Sequence, residues 1–264
     1  MTNETEILEK LDSRRYNPDY IPQPDVKLFT IRDKLVGSAG NWITLTGLPK
    51  TGKSFFLSAI TASAFTPLDI FGMKLNLPVN RKKICYLDTE SSEYDMYRQM
   101  ERIRKFIRID RLPPRLDAFN VREDNNIVIL SYITAYLDIN PDCSVLIADG
   151  ILDLIINYND ETESRRLIQF FKMITKKYNI LVITVLHLGK KDNHTLGTLG
   201  SASDRYAQST LVIEKNKENQ TFTIQSRFMR SDLDFDPIAI QFYDGEYREV
   251  DYQDPKEINS RAKK

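Results

Sequence analysis

Residues 47–54 read Gly-Leu-Pro-Lys-Thr-Gly-Lys-Ser, and this segment constrains the fold of the chain more than any other. It fits the pattern G-x-x-x-x-G-K-[ST], which requires a strand before the loop and a helix after it. The apolar run at 41–46 predicts that strand, and the periodicity of 53–64 predicts that helix. In such a loop the backbone N–H groups surround phosphates, the lysine reaches the β- and γ-phosphates, and the serine ligates Mg²⁺. The segment therefore predicts a phosphate-binding loop.

The residues of this loop have separate predicted tasks. Gly47 and Gly52 let the backbone turn inward, and Lys53 serves both binding and catalysis. Ser54 is a predicted metal ligand. The predicted nucleotide contacts comprise the whole loop and one following residue: Gly47, Leu48, Pro49, Lys50, Thr51, Gly52, Lys53, Ser54 and Phe55.

Strands and helices are predicted to alternate along most of the chain. Further apolar strands are expected at 83–88, 118–121, 143–149 and 180–186, and helices at 91–109, 125–137 and 161–178. This alternation predicts an α/β fold with a mainly parallel sheet flanked by helices. Short strands at 211–214, 221–225 and 238–242, with a turn at 216–219, predict a β-hairpin-rich C-terminal end.

Short segments of different composition flank this predicted core at both ends. A short N-terminal helix and a Pro-rich linker are expected at 1–25, the main domain at 26–250, and a basic, disordered tail at 251–264. The 37 basic and 37 acidic residues give a net charge of zero, so any contact with nucleic acid must be a local patch. No signal peptide or membrane span is predicted, and Cys85 and Cys143 are expected to be reduced core thiols of a cytoplasmic protein.

Two acidic residues at predicted strand ends suit the chemistry of the loop. Asp149 closes the run Val-Leu-Ile-Ala and is predicted to hold Mg²⁺ together with Ser54. Because Gly150 follows it, the carboxylate that orients or deprotonates the attacking water must come from elsewhere. Glu90, just past the strand at 83–88, is the candidate, although an acid at a helix start is also favoured by the helix dipole alone.

His187 ends the strand at 180–186, at the edge where doubly wound sheets bind ligands. It is predicted to contact the γ-phosphate, with a satisfied core histidine as the alternative. Residues 188–203 form a polar segment with three Gly, two Lys and a His, and a long loop of this kind in a compact domain is usually functional or disordered. No Asn-Lys-x-Asp motif for guanine is present, which favours ATP. The residues that contact the base are not determined by the sequence. Phe242, Tyr243 and Tyr247, near the C-terminal end of the main domain, are candidates.

The segments GLPKTGKS, YLDTE, VLIADGILDLI and ITVLHLGKKDNHTLGTLGS, followed by Asp204, together resemble the RecA-like P-loop ATPases. Within them they are similar to the RepA-type hexameric replicative helicases and the related AAA ATPases of mobile elements. The resemblance implies Glu90 as the catalytic carboxylate and His187 as the γ-phosphate sensor. It also implies two further sets of residues. Lys190, Lys191 and His194 would contact single-stranded DNA, and Arg227 or Arg230 would reach a neighbouring subunit's site as a basic finger. For these two arginines, solvated hairpin charges are the alternative.

The resemblance implies an ATP- and Mg²⁺-dependent motor that forms a homo-oligomeric ring, expected to be a hexamer. It would act as a single-stranded DNA translocase or helicase in replication or mobilisation of a plasmid, phage or mobile element. Replication or mobilisation proteins are possible partners. The alternative is a nucleotide-gated adaptor or loader without helicase activity of its own, which the neutral charge favours. A small-molecule kinase is the least supported reading.

Overall fold

A computed structural model describes residues 2–189 and 197–253. Six helices occur in these ranges: α1 Thr2–Asp12, α2 Lys53–Ser63, α3 Glu93–Ile107, α4 Asn126–Ile139, α5 Glu161–Tyr178 and α6 Gly197–Tyr206. A short 3-10 helix covers Leu152–Leu154. The strands are β1 Lys27–Ile31, β2 Lys34–Ser38, β3 Trp42–Gly47, β4 Met73–Leu75, β5 Lys83–Asp88, β6 Leu116–Asn120, β7 Cys143–Asp149, β8 Leu181–His187, β9 Ser209–Lys215, β10 Thr221–Met229, β11 Ile238–Tyr243 and β12 Glu246–Val250.

The main sheet has nine strands in the order β12-β11-β10-β9-β3-β8-β7-β5-β6. The six strands from β9 to β6 run parallel to one another, and β10, β11 and β12 extend the sheet as antiparallel neighbours. A separate antiparallel sheet has the order β2-β1-β4. The predicted α/β fold with a mainly parallel sheet and C-terminal hairpins is confirmed.

Successive residues of each parallel strand point to opposite sides of the main sheet. Helices cover both of these faces. On one face, Ile43 and Ile183 pack with Phe56 of α2 and Ile103 of α3. On the other face, the neighbouring strand residues pack against α4 and α5. Strands buried on both sides need apolar residues at nearly every position, and this explains the unbroken apolar runs in the sequence.

The predicted elements of the core lie within a few residues of their observed bounds, but the segment 188–203 differs. Its second part belongs to α6, and the polar loop was therefore predicted too long. Leu199 and Ser203, one helical turn apart, are buried, and α6 packs against α5. Two glycines lower the helix propensity of this stretch, so the sequence does not predict a helix here. The small sheet of β1, β2 and β4 was not predicted either.

The N-terminal segment lies on the surface, whereas the two cysteines lie in the core. The side chains of 4–26 are exposed, and Cys85 and Cys143 are buried free thiols. None of the helices in the described ranges is long and apolar enough to cross a membrane. The predicted tail falls mainly on residues 254–264, which lie outside the described residues.

Candidate nucleotide-binding site

Four parallel strands end at one edge of the main sheet and bring the predicted site residues together. Gly47 at the end of β3 lies opposite His187 at the end of β8, and Asp88 of β5 lies opposite Asp149 of β7. The carboxyl edge of a parallel sheet is where such folds bind ligands. Residues separated by up to 140 positions in the chain therefore meet here because of the strand order.

The loop from Gly47 to Ser54 connects β3 to α2 through a tightly packed turn. A Cβ on Gly47 would lie 2.4 Å from the carbonyl oxygen of Ile213, so only glycine fits there. Gly52 has a φ of 97° as the N-cap of α2, a left-handed conformation that glycine adopts without strain. The Thr51 hydroxyl donates to the Leu48 carbonyl at 2.8 Å and closes the loop on itself.

Lys53 is buried beneath this loop. Its Nζ donates to the carbonyl oxygens of Gly47 at 3.0 Å and Leu48 at 2.9 Å, and it lies 3.1 Å from Nδ1 of His187. Burial lowers the pKa of Lys53, while the charges of Glu90 and Asp149 oppose this shift. An ammonium can only donate, so all three of its contacts are acceptors that an incoming phosphate oxygen can replace.

The other loop residues divide into exposed and enclosed positions. Pro49, Lys50 and Ser54 are exposed, as expected for groups that contact a ligand outside the fold. Phe55 is buried and its ring packs on Tyr247, with 4.3 Å between the centroids. Its backbone N–H bonds the carbonyl of Gly52. The ring thus belongs to an aromatic cluster, and a contact of Phe55 with the nucleotide stays a prediction.

His187 connects Lys53 to Glu90. Its Nδ1 accepts from Lys53, so the ring proton is on Nε2, which lies 3.4 Å from Oε2 of Glu90. This hydrogen bond lowers the pKa of Glu90, against a smaller opposing effect of burial. A Cβ on residue 150 would lie 2.2 Å from Oε1 of Glu90, so Gly150 leaves the space that the Glu90 side chain fills.

Asp88, which sequence reasoning did not single out, fixes the backbone that carries Glu90. Its Oδ1 accepts the backbone N–H groups of Glu90 at 3.1 Å and Ser91 at 2.8 Å. A side-chain oxygen that binds the backbone two and three residues ahead forms a local turn. Asp88 is fully buried, and burial raises its pKa. The turn directs Glu90 away from the sheet and towards His187.

Asp149 lies deeper than Glu90 and in a different environment. Its Oδ2 accepts the hydroxyl of Tyr86 at 2.8 Å and lies 3.5 Å from Nε2 of Gln99. Within the described residues these contacts fall on Oδ2, which leaves Oδ1 as the oxygen available to a ligand. Burial raises the pKa of Asp149 to about 6. Carboxylate and hydroxyl oxygens are ligands that Mg²⁺ takes in proteins, so the donor set of Asp149 and Ser54 fits this ion.

Arg227 and Arg230 lie away from the loop of their own chain. Because β10 runs antiparallel to β9, Phe222 lies opposite Lys215 at the nucleotide edge, whereas Met229 lies opposite Ser209 at the other edge. Arg227 pairs with Asp204, with 3.7 Å between Nη2 and Oδ2, and Arg230 is exposed. Neither side chain is brought to the phosphate loop of the same subunit.

A cavity of about 730 Å³ opens beside the phosphate loop. It is lined by Leu48 and Thr51 of the loop, by the turn between β9 and β10, and by residues 250–253. Its single aromatic lining residue within the described chain is Tyr252. Phe242, Tyr243 and Tyr247 are not among the lining residues, and their role as base contacts stays a prediction. The predicted DNA contacts Lys190, Lys191 and His194 lie outside the described residues.

The fold and this edge define a RecA-like P-loop ATPase domain. A family model described as an AAA domain matches residues 32–193, which is more than half of the chain, and the chain belongs to this family. Among solved structures, a KaiC-like protein from the hyperthermophilic archaeon Pyrococcus horikoshii OT3 is similar, with a TM-score of 0.59 and 16% sequence identity. The match covers 87% of this chain and all of that one, and it concerns the fold. No curated protein matches the chain.

The raised pKa of Asp149 predicts a pH-dependent penalty on folding without nucleotide. Its folded-state pKa of about 6 exceeds the unfolded value near 3.9, so stability is lost as pH rises between these values. Asp149→Asn removes the buried charge. We therefore expect this variant to gain up to about 3 kcal/mol of unfolding free energy relative to wild type at pH 8, and nothing at pH 4.

Chemical denaturation from pH 4 to 8, without Mg²⁺ or nucleotide, measures this difference. Asp110→Asn replaces an exposed carboxylate and is the matched control, whose difference from wild type should stay flat. An equally flat difference for Asp149→Asn would contradict the assigned burial of the charge.

Proposed function

We propose that the chain is an ATP-hydrolysing motor that forms a ring, expected to be a hexamer, and moves along single-stranded DNA. Its role would be replication or mobilisation of a plasmid, phage or mobile element. The observation that supports this best is the continuous contact from Lys53 through His187 to Glu90. His187 leads directly into the segment that contains Lys190, Lys191 and His194, so a change at the phosphate can be passed to the proposed DNA contacts.

The phosphate oxygens of ATP would replace the acceptors that hold Lys53 in the structure. To reach the phosphates, the Lys53 ammonium would give up its hydrogen bonds to two carbonyl oxygens and one imidazole nitrogen. All three acceptors lie at the same edge of the sheet. Ser54 and Asp149 would hold Mg²⁺, which would neutralise part of the charge of the phosphates. Backbone N–H groups of the loop and the start of α2 add further positive potential.

Glu90 would orient and deprotonate the attacking water. Its lowered pKa keeps the carboxylate ionised at neutral pH, as a general base requires. In the structure its Oε2 lies 3.4 Å from Nε2 of His187. Once Lys53 moves to the phosphates, Nδ1 of His187 loses its donor, and the imidazole becomes free to respond to the γ-phosphate.

The base and ribose of ATP would occupy the cavity beside Leu48 and Thr51. Its volume is within the range of small-molecule sites, and it adjoins the loop that would hold the phosphates. Apolar Leu48 can contact one face of a base, while Asn216 and Asn219 in the β9–β10 turn offer polar groups to its edge. The aromatic candidates of β11 and β12 have no part in this placement.

A neighbouring subunit would complete the site. Arg230 lies towards the edge of the sheet opposite the phosphate loop. Arg227 lies closer to the middle of β10 and is paired with Asp204. A head-to-tail contact between copies places unlike edges together, and repetition closes a ring when the rotation permits. The cation that stabilises the transferred phosphoryl group would therefore come from the next copy.

Single-stranded DNA should raise the steady-state rate of ATP hydrolysis by the wild-type protein. Lys53→Ala should abolish ATP binding, and Glu90→Gln should lower hydrolysis by about 10²- to 10⁴-fold while ATP still binds. The double variant Lys190→Ala/Lys191→Ala should retain the basal rate and lose the stimulation, because phosphate contacts are lost without a change at the nucleotide.

The matched control is Lys105→Ala/Arg108→Ala, which removes two exposed cations from the end of α3. It should respond to DNA like wild type. A wild-type rate that stays the same with and without DNA over a salt series would contradict the motor. An ATP-dependent complex with a replication protein would then support the nucleotide-gated adaptor.

Mixed subunits test the ring. Lys53→Ala subunits have no working phosphate loop but retain Arg230, and Arg230→Ala subunits have the reverse defect. Each variant alone should hydrolyse ATP at least about 10³-fold more slowly than wild type. Mixing them should restore activity, because some interfaces then combine an intact loop with an intact arginine. Full activity of Arg230→Ala alone would exclude this arginine as the finger.

A further inference from the structure

A chain of three buried polar side chains runs from α3 to the metal-binding acid of the proposed site. Gln99 of α3 donates through Nε2 to the hydroxyl oxygen of Tyr86, and this hydroxyl donates to Oδ2 of Asp149 at 2.8 Å. Tyr86 is fully buried, and Gln99 is 3% exposed. None of the reasoning from sequence assigned a role to Tyr86 or Gln99.

The chemistry of the three groups fixes the direction of these hydrogen bonds. A tyrosine hydroxyl has one hydrogen, and an ionised carboxylate can only accept. The Tyr86 hydrogen therefore points to Asp149, and the group that faces the Tyr86 oxygen from the other side must be a donor. The amide nitrogen of Gln99 meets this requirement, and it also lies 3.5 Å from the same carboxylate oxygen.

Packing alone does not explain a tyrosine at position 86. A phenylalanine would fill the same space between the strands and α3 without burying a hydroxyl, and a buried hydroxyl costs free energy unless it is hydrogen-bonded. The partner of this hydroxyl is the acid that ends the adjacent strand β7. Both contacts fall on Oδ2, and they hold the carboxylate in one rotation with Oδ1 turned away from the pair.

We propose that Tyr86 and Gln99 are positioning residues that hold Asp149 in the orientation required for Mg²⁺ binding beside the phosphate loop. The inference rests on the proposed function, since it assigns Asp149 to the metal. Residues that hydrogen-bond metal ligands from behind orient them, and their loss weakens metal affinity by about 10- to 100-fold. Because α3 begins just after Glu90, the same helix is tied to both acids of the site.

The Mg²⁺ dependence of nucleotide binding tests this role without relying on catalysis. A fluorescent, non-hydrolysable ATP analogue is titrated at a series of Mg²⁺ concentrations and once with EDTA. Tyr86→Phe should raise the half-saturating Mg²⁺ concentration about 10-fold and leave binding in EDTA unchanged. Gln99→Met, which keeps the length of the side chain and removes the donor, should shift it in the same direction, and it provides the test if Tyr86→Phe does not fold.

Tyr136→Phe is the matched control. Its hydroxyl donates to Asp117 at 2.6 Å, away from the nucleotide edge, so the same atom is removed without a change at Asp149. This variant should keep the wild-type Mg²⁺ dependence. Thermal unfolding of all variants checks that each one is folded.

A double-mutant cycle separates positioning from general packing. In an Asp149→Asn background, Tyr86→Phe should cause no further change in Mg²⁺ dependence, because the oriented carboxylate is already gone. An unchanged Mg²⁺ requirement in folded Tyr86→Phe, or an equal shift in both backgrounds, would overturn the inference while the proposed function stands. A wild-type protein that binds the analogue without any effect of Mg²⁺ would overturn both.

Discussion

The carbonyl group of Gly47 is the point on which the rest of the site depends. Its oxygen accepts Nζ of Lys53 at 3.0 Å and the backbone N–H of Leu188 at 3.1 Å. The first bond holds the lysine beneath the loop, and the second fixes the end of β8 against the end of β3. Since a Cβ at position 47 would collide with the Ile213 carbonyl, β9 encloses the same residue from the other side. One peptide group thereby sets the relative positions of the lysine, His187 and the wall of the cavity.

The two acids of the site differ because their surroundings differ. Glu90 is partly exposed and hydrogen-bonded to His187, and its pKa is lowered. Asp149 is buried beneath it, and its pKa is raised to about 6. Groups with pKa values pushed apart in this way suit separate tasks. An ionised carboxylate close to solvent can accept a proton from water, whereas a buried one gains most when a cation arrives.

Patterns that are local in the chain predicted most of the fold and of the phosphate loop. The buried parallel strands are unbroken apolar runs, and the motif at 47–54 fixes one strand, one turn and one helix together. Groupings that depend on strand order could not be predicted in this way. Tyr86 lies in a mostly apolar run that forms a buried strand, and only the pairing of β5 with β7 brings its hydroxyl to Asp149. Similarly, Phe55 follows the motif directly, yet the direction of its side chain on α2 places it in an aromatic cluster.

The proposed function requires Lys53 to leave His187 when the phosphates of ATP bind. The chain has two histidines, so a His194→Gln variant contains His187 alone, and ¹⁵N NMR of its imidazole reads this contact directly. The nucleotide-free protein should show the Nε2–H tautomer, with an Nδ1 resonance that shifts when a non-hydrolysable ATP analogue and Mg²⁺ saturate the site. An Nδ1 resonance that stays unchanged at saturation would contradict the account.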